Sequence, residues 1–395
     1  MRGSETEKAT PCWPNKGGDL APRGQEPQQL PVSDYHKLHE MAYPGLRLHQ
    51  IGPYIGKLRP DLARKLVLSY SAQGGWVWDP FAGCGTIPLE CRLLGRNVLA
   101  GDINPYACAL TRAKLHAPTF DGRVLQRLSE LSIAFLESGK GNRACYPEWV
   151  RRFFHPRTLR ETSSLMQHLL HQRQYFLAGC LLGILHHQRP GFLSYPASHL
   201  VPYLRDKMFP RDRFPQAYEY REPISRLRAK AIRVLRDPPQ DTAFRYRVIQ
   251  KSVFEQYLPP RSVDAIITSP PYMNALDYAR DNRLRLWFLG IDDYSTVQQQ
   301  EMRKIGQFQA ELEVLIPILT ATLKPGAPCI LILGDAARNG KRHDIPGMIK
   351  RIVTSKAPSL TLEATWKDGI PAAKRSRRHM KGTKSETVLV YRKRR

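Results

Sequence analysis

The chain has 395 residues, and its 61 Lys and Arg against 35 Asp and Glu give a formal net charge of +26 at pH 7. No run of about 18 apolar residues occurs, so the sequence predicts no membrane-spanning helix. The seven cysteines include no C-x-x-C pair, which argues against a structural zinc site or a disulfide framework and is typical of the reducing cytoplasm. The positive charge favours a polyanionic partner, because Lys and Arg that neutralise phosphates release counterions. A generally basic proteome or an association with ribosomes would also explain it.

The first 33 residues differ in composition from the rest of the chain. Residues 1–33 are rich in Pro, Gly and charged side chains and lack the apolar core of a signal peptide. Such a segment buries too little apolar surface to fold, so residues 1–33 are predicted to be a disordered tail.

A glycine turn between two short strands is the first landmark. The segment "WVWDPFAGCGTIPLE" (76–90) reads as a strand, a turn with Gly83 and Gly85, and a helix, and the next strand "NVLAGDI" ends at Asp102. Glycines here let the backbone approach a ligand, and an acid about 20 residues further on is placed to hold ribose hydroxyls. The spacing lacks the third glycine of the dinucleotide fingerprint and the Gly-Lys-Ser/Thr of a phosphate loop. The turn therefore favours a nucleoside without a pyrophosphate, although close packing of strand and helix would also explain the glycines.

The second landmark is an apolar strand that stops abruptly. In "AIITSPPYMN" (265–274) the strand ends in Ser269, Pro270, Pro271 and Tyr272. Neither proline can donate a ladder hydrogen bond, so a hydroxyl, a stiff backbone and an aromatic ring are left together at the strand's tip. A simple loop terminator or a proline-rich recognition ligand are the alternative interpretations.

Together the two landmarks resemble a known enzyme family. "DPFAGCGT" resembles the first motif of S-adenosylmethionine-dependent methyltransferases, and "TSPPY" resembles the catalytic motif of the DNA amino-methyltransferases (N4-cytosine / N6-adenine type). Residues 52–71 are similar to the part of these enzymes that closes over the methionine end of the cofactor. The resemblance covers residues 43–116 and 245–392 and implies S-adenosylmethionine as cofactor. The cofactor-binding residues that it implies are Asp79, Phe81, Gly83, Gly85, Thr86, Asp102, Ile103, Asn104 and Ser252.

One position departs from the family pattern. The family usually places an acid at the end of the third strand, near the cofactor adenine, whereas this chain has Lys251-Ser252 there. A serine hydroxyl can still supply a hydrogen bond, so Ser252 is the candidate replacement.

The catalytic residues implied are Ser269, Pro270, Pro271 and Tyr272. An exocyclic amine is a poor nucleophile because its lone pair is delocalised into the ring. The Ser269 hydroxyl and the Pro270 carbonyl could each accept one of its hydrogens, and the prolines would hold these acceptors in place. Tyr272 offers a flat face to a base swung out of its stack. A cytosine C5-methyltransferase is excluded, since its catalytic loop needs a cysteine nucleophile after a proline.

The expected fold is α/β: a Rossmann-like class I methyltransferase fold, with a mostly parallel sheet, helices on both faces and a large helical insert. Further strands are predicted at 245–252 and 263–268, in "CILILGD" and in "SETVLVYRK", and one helix in "NALDYARDNRLRLWFLG". The first part of the methyltransferase domain is placed at 34–116 and the second part at 245–395.

Residues 117–244 separate two strands that are expected to be neighbours. This helical, basic insert is the candidate target-recognition region, with Arg151 and Arg152 as candidate DNA contacts. A helical cap that merely shields the active site is the alternative. The basic loop 372–384 is a second candidate, through Arg375, Arg377 and Arg378. No metal site is expected, because the histidines of the insert have no Cys or carboxylate partner at useful spacing.

The favoured function is site-specific methylation of DNA. The resemblance implies N4 of cytosine as the target, because Ser at the first position of the catalytic motif correlates with that target in the family. Methylation of adenine N6, methylation of an RNA base such as one in tRNA, and non-catalytic nucleic-acid binding stay open. DNA is the expected partner, a cognate restriction endonuclease is a possible one, and no membrane contact is expected. The expected location is the cytoplasm.

Overall fold

The computed structural model describes residues 28–29, 44–119, 146–187, 192–195, 209–271, 278–298, 305–334, 336–338, 341–369 and 385–395, with single helical positions at 122, 126 and 130. A sheet of eight strands organises this part of the chain, and two further strands pair only with each other. The strands are β1 Gln28–Gln29, β2 Trp76–Asp79, β3 Asn97–Asp102, β4 Tyr246–Gln250, β5 Ala265–Thr268, β6 Pro328–Gly334, β7 Ala336–Arg338, β8 Lys341–His343, β9 Leu360–Gly369 and β10 Ser385–Lys393.

The strand order in the large sheet is β1-β9-β10-β6-β5-β2-β3-β4. The five strands β6, β5, β2, β3 and β4 run parallel to one another. Strand β10 lies between β6 and β9 and is antiparallel to both. All residues of β5 and β6 are buried, which explains their continuous apolar sequences, since a parallel sheet is covered on both faces. The predicted Rossmann-like class I methyltransferase fold, a mostly parallel sheet with helices around it, is confirmed.

Helices cover both faces of the sheet. They are α1 Pro60–Tyr70, α2 Thr86–Leu93, α3 Pro105–Leu115, α4 Glu148–Arg151, α5 Pro156–His171, α6 Tyr175–Ile184, α7 Pro223–Val234, α8 Tyr278–Asp281, α9 Arg283–Phe288, α10 Ser295–Gln298, α11 Ile305–Thr322 and α12 Ile345–Lys356. In the described part of the chain, none of them has the length and apolar character needed to cross a membrane.

Alternate residues of the strands feed two apolar cores, as the two-residue period of a strand requires. Val77 of β2 packs in one core with α1 and α2, and the next residue, Trp78, packs in the other with α11 and α12. The sheet is therefore buried on both sides, and its strand ends are left as the accessible edge.

The described helices of the insert form a third packed layer. Helices α5, α6 and α7 share an apolar cluster with α3 and with Ile51. A β-carbon at Gly183 of α6 would overlap the carbonyl oxygen of Ile51, and one at Gly179 would overlap the β-carbon of Ala113. These two glycines let α6 lie directly against α3 and against Ile51, which precedes α1. β3 and β4, which flank the insert in sequence, are neighbours in the sheet.

Strand β1 lies within residues 1–33, for which no strand was predicted, and it pairs with β9. Two further features also differ from the sequence prediction. β9 was not predicted, because Glu363, Lys367 and Asp368 interrupt its apolar pattern, yet it pairs along its length with β10. The prediction of a single helix after the catalytic motif is wrong for the residues that the structure describes, because α8 and α9 are separate helices. Asn282 lies between them with φ −111° and ψ 12°, outside helical geometry.

Candidate active site

A cavity of about 510 Å³ lies at the carboxyl ends of β2, β3, β4 and β5, where the ligand crevice of an open α/β sheet is expected. Both sequence landmarks contribute to its wall. The sequence-predicted residues that line it are Asp79, Phe81, Gly83, Thr86, Asp102, Ile103, Asn104, Ser252, Ser269, Pro270 and Pro271.

The two glycines of the turn have different surroundings. Both adopt left-handed backbone angles, with φ 51° at Gly83 and φ 74° at Gly85, a conformation that side chains with a β-carbon rarely adopt. A β-carbon on Gly83 would lie 3.6 Å from the ring of Tyr54, on the cavity side, whereas one on Gly85 would lie 2.9 Å from the Cα of Thr111. Gly85 does not line the cavity, so its role in this structure is close packing of the turn on α3.

Asp102 holds the glycine turn in place. Its Oδ2 accepts a hydrogen bond from the backbone N–H of Gly83 at 2.8 Å, and its Oδ1 accepts one from that of Asn104 at 2.8 Å. Burial raises the pKa of Asp102 to about 6, against the opposing effect of these backbone donors. A carboxylate with each oxygen on one backbone donor still has lone pairs for a ligand's hydroxyls.

Asp79 connects the two motifs. Thr268, the last residue of β5, donates from its hydroxyl to Asp79 Oδ1 at 2.7 Å, and the Phe81 N–H donates to the same oxygen at 3.3 Å. Asp79 is 1% exposed, and burial raises its pKa to about 7. Sequence analysis missed Thr268, although its position directly before Ser269 was the available signal. The contact fixes the end of β5 relative to the glycine turn.

Ser269 already uses its proton. Its hydroxyl donates to the carbonyl oxygen of Ile332 in β6 at 3.2 Å, so the Ser269 oxygen is left to accept from a ligand. Pro270 is buried and Pro271 is half-buried. Tyr272, the fourth predicted catalytic residue, lies outside the described residues.

The cavity also contains residues that lie outside the two motifs. The rings of Tyr54 and Tyr278 lie 5.7 Å apart with an interplanar angle of 25°, and Lys57 donates to the carbonyl oxygens of His49 and Gly52 at 3.1 and 2.6 Å. Tyr54 and Lys57 fall in the segment 52–71, whose resemblance to the family was the signal for them. Helix α11 adds Gln307 and Glu311, for which no motif gave a signal.

The remaining predicted residues take three positions. Asn104 accepts a hydrogen bond from the Tyr106 N–H and caps α3, and Ser252 precedes a short 3₁₀ helix at Val253–Glu255. Arg151 and Arg152 are exposed at the end of α4, away from the cavity wall, and Arg152 pairs with Glu148. Arg375, Arg377 and Arg378 lie outside the described residues.

The described residues contain no group of three or more His, Cys, Asp or Glu side chains that could hold a metal ion.

Comparisons with known proteins bear on part of the chain. A family model described as DNA methylase matches residues 13–113, about a quarter of the sequence. The Type II methyltransferase M.MjaII of Methanocaldococcus jannaschii is 31% identical over 93 residues, which are 24% of this chain and 17% of that protein. The chain therefore spans about a sixth of the length of this curated relative.

Solved structures are similar at lower identity. TrmN from Thermus thermophilus has a TM-score of 0.35 and 14% identity, over 88% of this chain and 52% of that one. A putative DNA modification methylase, also from Thermus thermophilus and complexed with S-adenosyl-L-methionine, has a TM-score of 0.22 and 19% identity, over 35% and 48% of the two chains.

The matched residues include the glycine turn, Asp79 and Asp102, and end before the second landmark. The resemblance that the sequence suggested is thereby confirmed for this part of the molecule: the segment that carries the glycine motif matches the DNA methylase family model and is similar to a Type II methyltransferase.

Proposed function

We propose that this protein transfers a methyl group from S-adenosylmethionine to the exocyclic amine of a base in DNA, with N4 of cytosine as the target. The observation that carries the proposal is that one cavity is lined by the glycine turn and by Ser269, Pro270 and Pro271. A methyl donor and an amine acceptor must meet within one site. The glycine turn would contact the methyl donor, and Ser269, Pro270 and Pro271 would contact the amine.

The residues present fit the cofactor. The cavity, about 510 Å³, is in the range of sites for ligands of this size. Asp102 would accept hydrogen bonds from the ribose hydroxyls, while Gly83 leaves room beside the turn for close approach of the cofactor. When bound, the cofactor supplies an electrophilic methyl group on a positively charged sulfur.

The target amine would be held by the strand end of β5. Because the Ser269 proton is donated to Ile332 O, the hydroxyl oxygen is oriented to accept a hydrogen from the amine. The carbonyl of Pro270 would accept the second hydrogen. Acceptors fixed before the reaction favour the tetrahedral nitrogen that develops during transfer. Tyr272 would stack on the flipped base. The assignment to N4 of cytosine rests on Ser as the first residue of this motif.

DNA is the proposed substrate because of the match to a DNA methylase family and the net charge of +26, which suits a polyanion. The proposed DNA contacts are Arg151, Arg152, Arg375, Arg377 and Arg378.

The test is nucleoside analysis by mass spectrometry of DNA and RNA from cells that express the protein. We expect N4-methylcytosine in DNA, and none when Ser269→Ala and Tyr272→Ala are combined. N6-methyladenine would correct the target base, and a methylated base found only in RNA would correct the substrate. Unmodified nucleic acids with a protein that binds S-adenosylmethionine would refute the transfer itself.

A further inference from the structure

Helix α11 places an amide and a carboxyl group at the edge of the cavity. Gln307 and Glu311 are one helical turn apart, both line the cavity, and Gln307 Nε2 donates to Glu311 Oε1 at 3.0 Å. The other carboxyl oxygen, Oε2, is buried and has no hydrogen-bond partner among the described residues. A buried acceptor without a partner is unfavourable, and such groups in folded proteins usually have a role.

The surroundings of this acceptor are apolar and aromatic. Phe308 and Leu312 of the same helix belong to an apolar cluster with Val253, and Phe81 and Phe254 pack against that cluster. Val253, Phe81 and Phe254 also line the cavity. A flat apolar surface with one hydrogen-bond acceptor at its edge suits a purine ring that carries an exocyclic amine. Burial raises the pKa of Glu311, which agrees with a carboxyl group that awaits a donor.

Two positions argue that this ring is the cofactor's rather than the target's. Phe254 follows β4, which lies next to β3 and therefore on the side of Asp102, the proposed ribose ligand. The proposed acceptors for the target amine follow β5 instead. The end of β4 itself carries Lys251 and Ser252 and no acid, so a carboxylate acceptor for the adenine amine has to come from another element.

We propose that Glu311, oriented by Gln307, accepts a hydrogen bond from the exocyclic amine of the cofactor adenine and makes the site selective for that base. This rests on the proposed use of S-adenosylmethionine. Glu311 is then a specificity residue that the known motifs do not include. Glu255 also lines the cavity, but it is exposed to solvent, so it is the weaker candidate for the same contact.

The experiment is calorimetry of the full chain with the cofactor product of the proposed transfer, S-adenosylhomocysteine, and with its analogue S-inosylhomocysteine. The second replaces the amine by a carbonyl oxygen, which repels a carboxylate but accepts from an amide. We expect the wild type to prefer the adenosyl compound at least tenfold. Glu311→Gln should reduce that preference at least tenfold, because the glutamine amide can donate to the carbonyl oxygen.

The chain offers a matched control. Gln309 and Glu313 form the same amide–carboxyl pair two residues further along the helix, also at 3.0 Å, and neither lines the cavity. Glu313→Gln should keep the wild-type preference. If Glu311→Gln does not fold, Gln307→Leu serves instead, since loss of the orienting donor should reduce the preference about threefold.

Four outcomes would overturn the inference. An unchanged preference in Glu311→Gln that binds both compounds removes the residue from the adenine site. Loss of the preference in Glu255→Gln alone moves the contact to Glu255. If Glu311→Gln binds both compounds as the wild type does and loses only methyl transfer, Glu311 would belong to the site of the target base. A wild type that binds neither compound would refute the proposed cofactor, and is thus distinguishable from failure at Glu311.

Discussion

At the scale of single residues, two carboxyl groups at the strand ends, the buried Asp79 and the half-buried Asp102, should give the site a pH dependence. Burial raises the pKa of Asp102 to about 6 and that of Asp79 to about 7. Both groups therefore change their charge between about pH 6 and pH 7, and the two have different expected readouts: ligand binding for Asp102 and the free energy of unfolding for Asp79.

Asp102 should couple cofactor binding to pH. Ribose hydroxyls donate to the ionised carboxylate, so binding favours the deprotonated form and affinity should fall as pH drops through about 6. Asp102→Ala should weaken binding by roughly 1.5–3 kcal/mol, the range for hydrogen bonds to a charged group. In Asp102→Asn the fall near pH 6 should vanish. Calorimetry between pH 5 and 8 measures both, and an unchanged profile in Asp102→Asn would place the ribose elsewhere.

The raised pKa of Asp79 should make the free energy of unfolding fall as pH rises. Its pKa is raised above the unfolded value of 3.8 to about 7, so between these pH values the folded state binds more protons than the unfolded state. The free energy of unfolding then falls with pH across this window, by at most about 1.36 kcal/mol per pH unit. Asp79→Asn removes this slope, so its stability relative to wild type should rise between pH 5 and pH 8. Urea unfolding at the two pH values tests this, and a constant difference would contradict it.

Ser269 and Tyr272 should affect transfer and spare cofactor binding. Ser269→Ala removes one acceptor for the amine, and Tyr272→Ala removes a stacking face worth about 1–3 kcal/mol. Each should slow single-turnover methyl transfer by at least about tenfold, with cofactor affinity nearly unchanged. Tyr272→Phe is the matched control and should keep most of the activity, because the ring face remains. Equal losses of melting temperature and cofactor binding in both alanine variants would indicate a packing role instead.

At the scale of elements, two glycines allow helix α6 to pack closely against α3 and against Ile51. Gly179 faces the β-carbon of Ala113, whereas Gly183 faces the backbone carbonyl of Ile51. Either glycine changed to alanine should destabilise the protein by about 1–3 kcal/mol through overpacking. Only the first should be rescued, by Ala113→Gly, because a side chain can be removed there and a carbonyl cannot. Melting temperatures of the two single variants and of each combined with Ala113→Gly test this, and rescue of Gly183→Ala by Ala113→Gly would refute it.

The same elements explain how far sequence prediction reached. β2, β3, β5 and β6 were predictable because apolar runs end there in glycines, prolines or acids, and the carboxyl ends of parallel strands meet at one edge. β9 was not, since its stability comes from pairing with β10 rather than from its own polar-interrupted pattern. The contributions of α11 were not predictable either. Which side chains of a helix reach a cavity depends on how the helix packs, and Glu311 and Glu313 look alike in sequence.

At the scale of the whole molecule, the charge of +26 should appear as a strong salt dependence of DNA binding. Each phosphate contact contributes about 0.9 to the slope of log K against log salt concentration. The total slope counts contacts but does not locate them, so the basic loop and the insert must be tested separately.

Variants of the basic loop and of helix α4 are expected to change that slope by different amounts. Changing Arg375, Arg377 and Arg378 to Ala should reduce it by up to about three contacts, and Arg151→Ala with Arg152→Ala by up to about two. Arg151 is exposed and should contribute more than Arg152, which is paired with Glu148. Arg351 and Lys356, exposed on α12 and outside the insert, provide the control: their double alanine variant loses the same charge as the α4 variant. If loss of charge alone weakened binding, the α4 and α12 variants would be equal, and neither arginine of α4 would belong to a DNA interface. A reduced slope for the loop variant with an unchanged slope for α4 would instead assign DNA binding to the loop, and the insert would then be a layer that packs against α3.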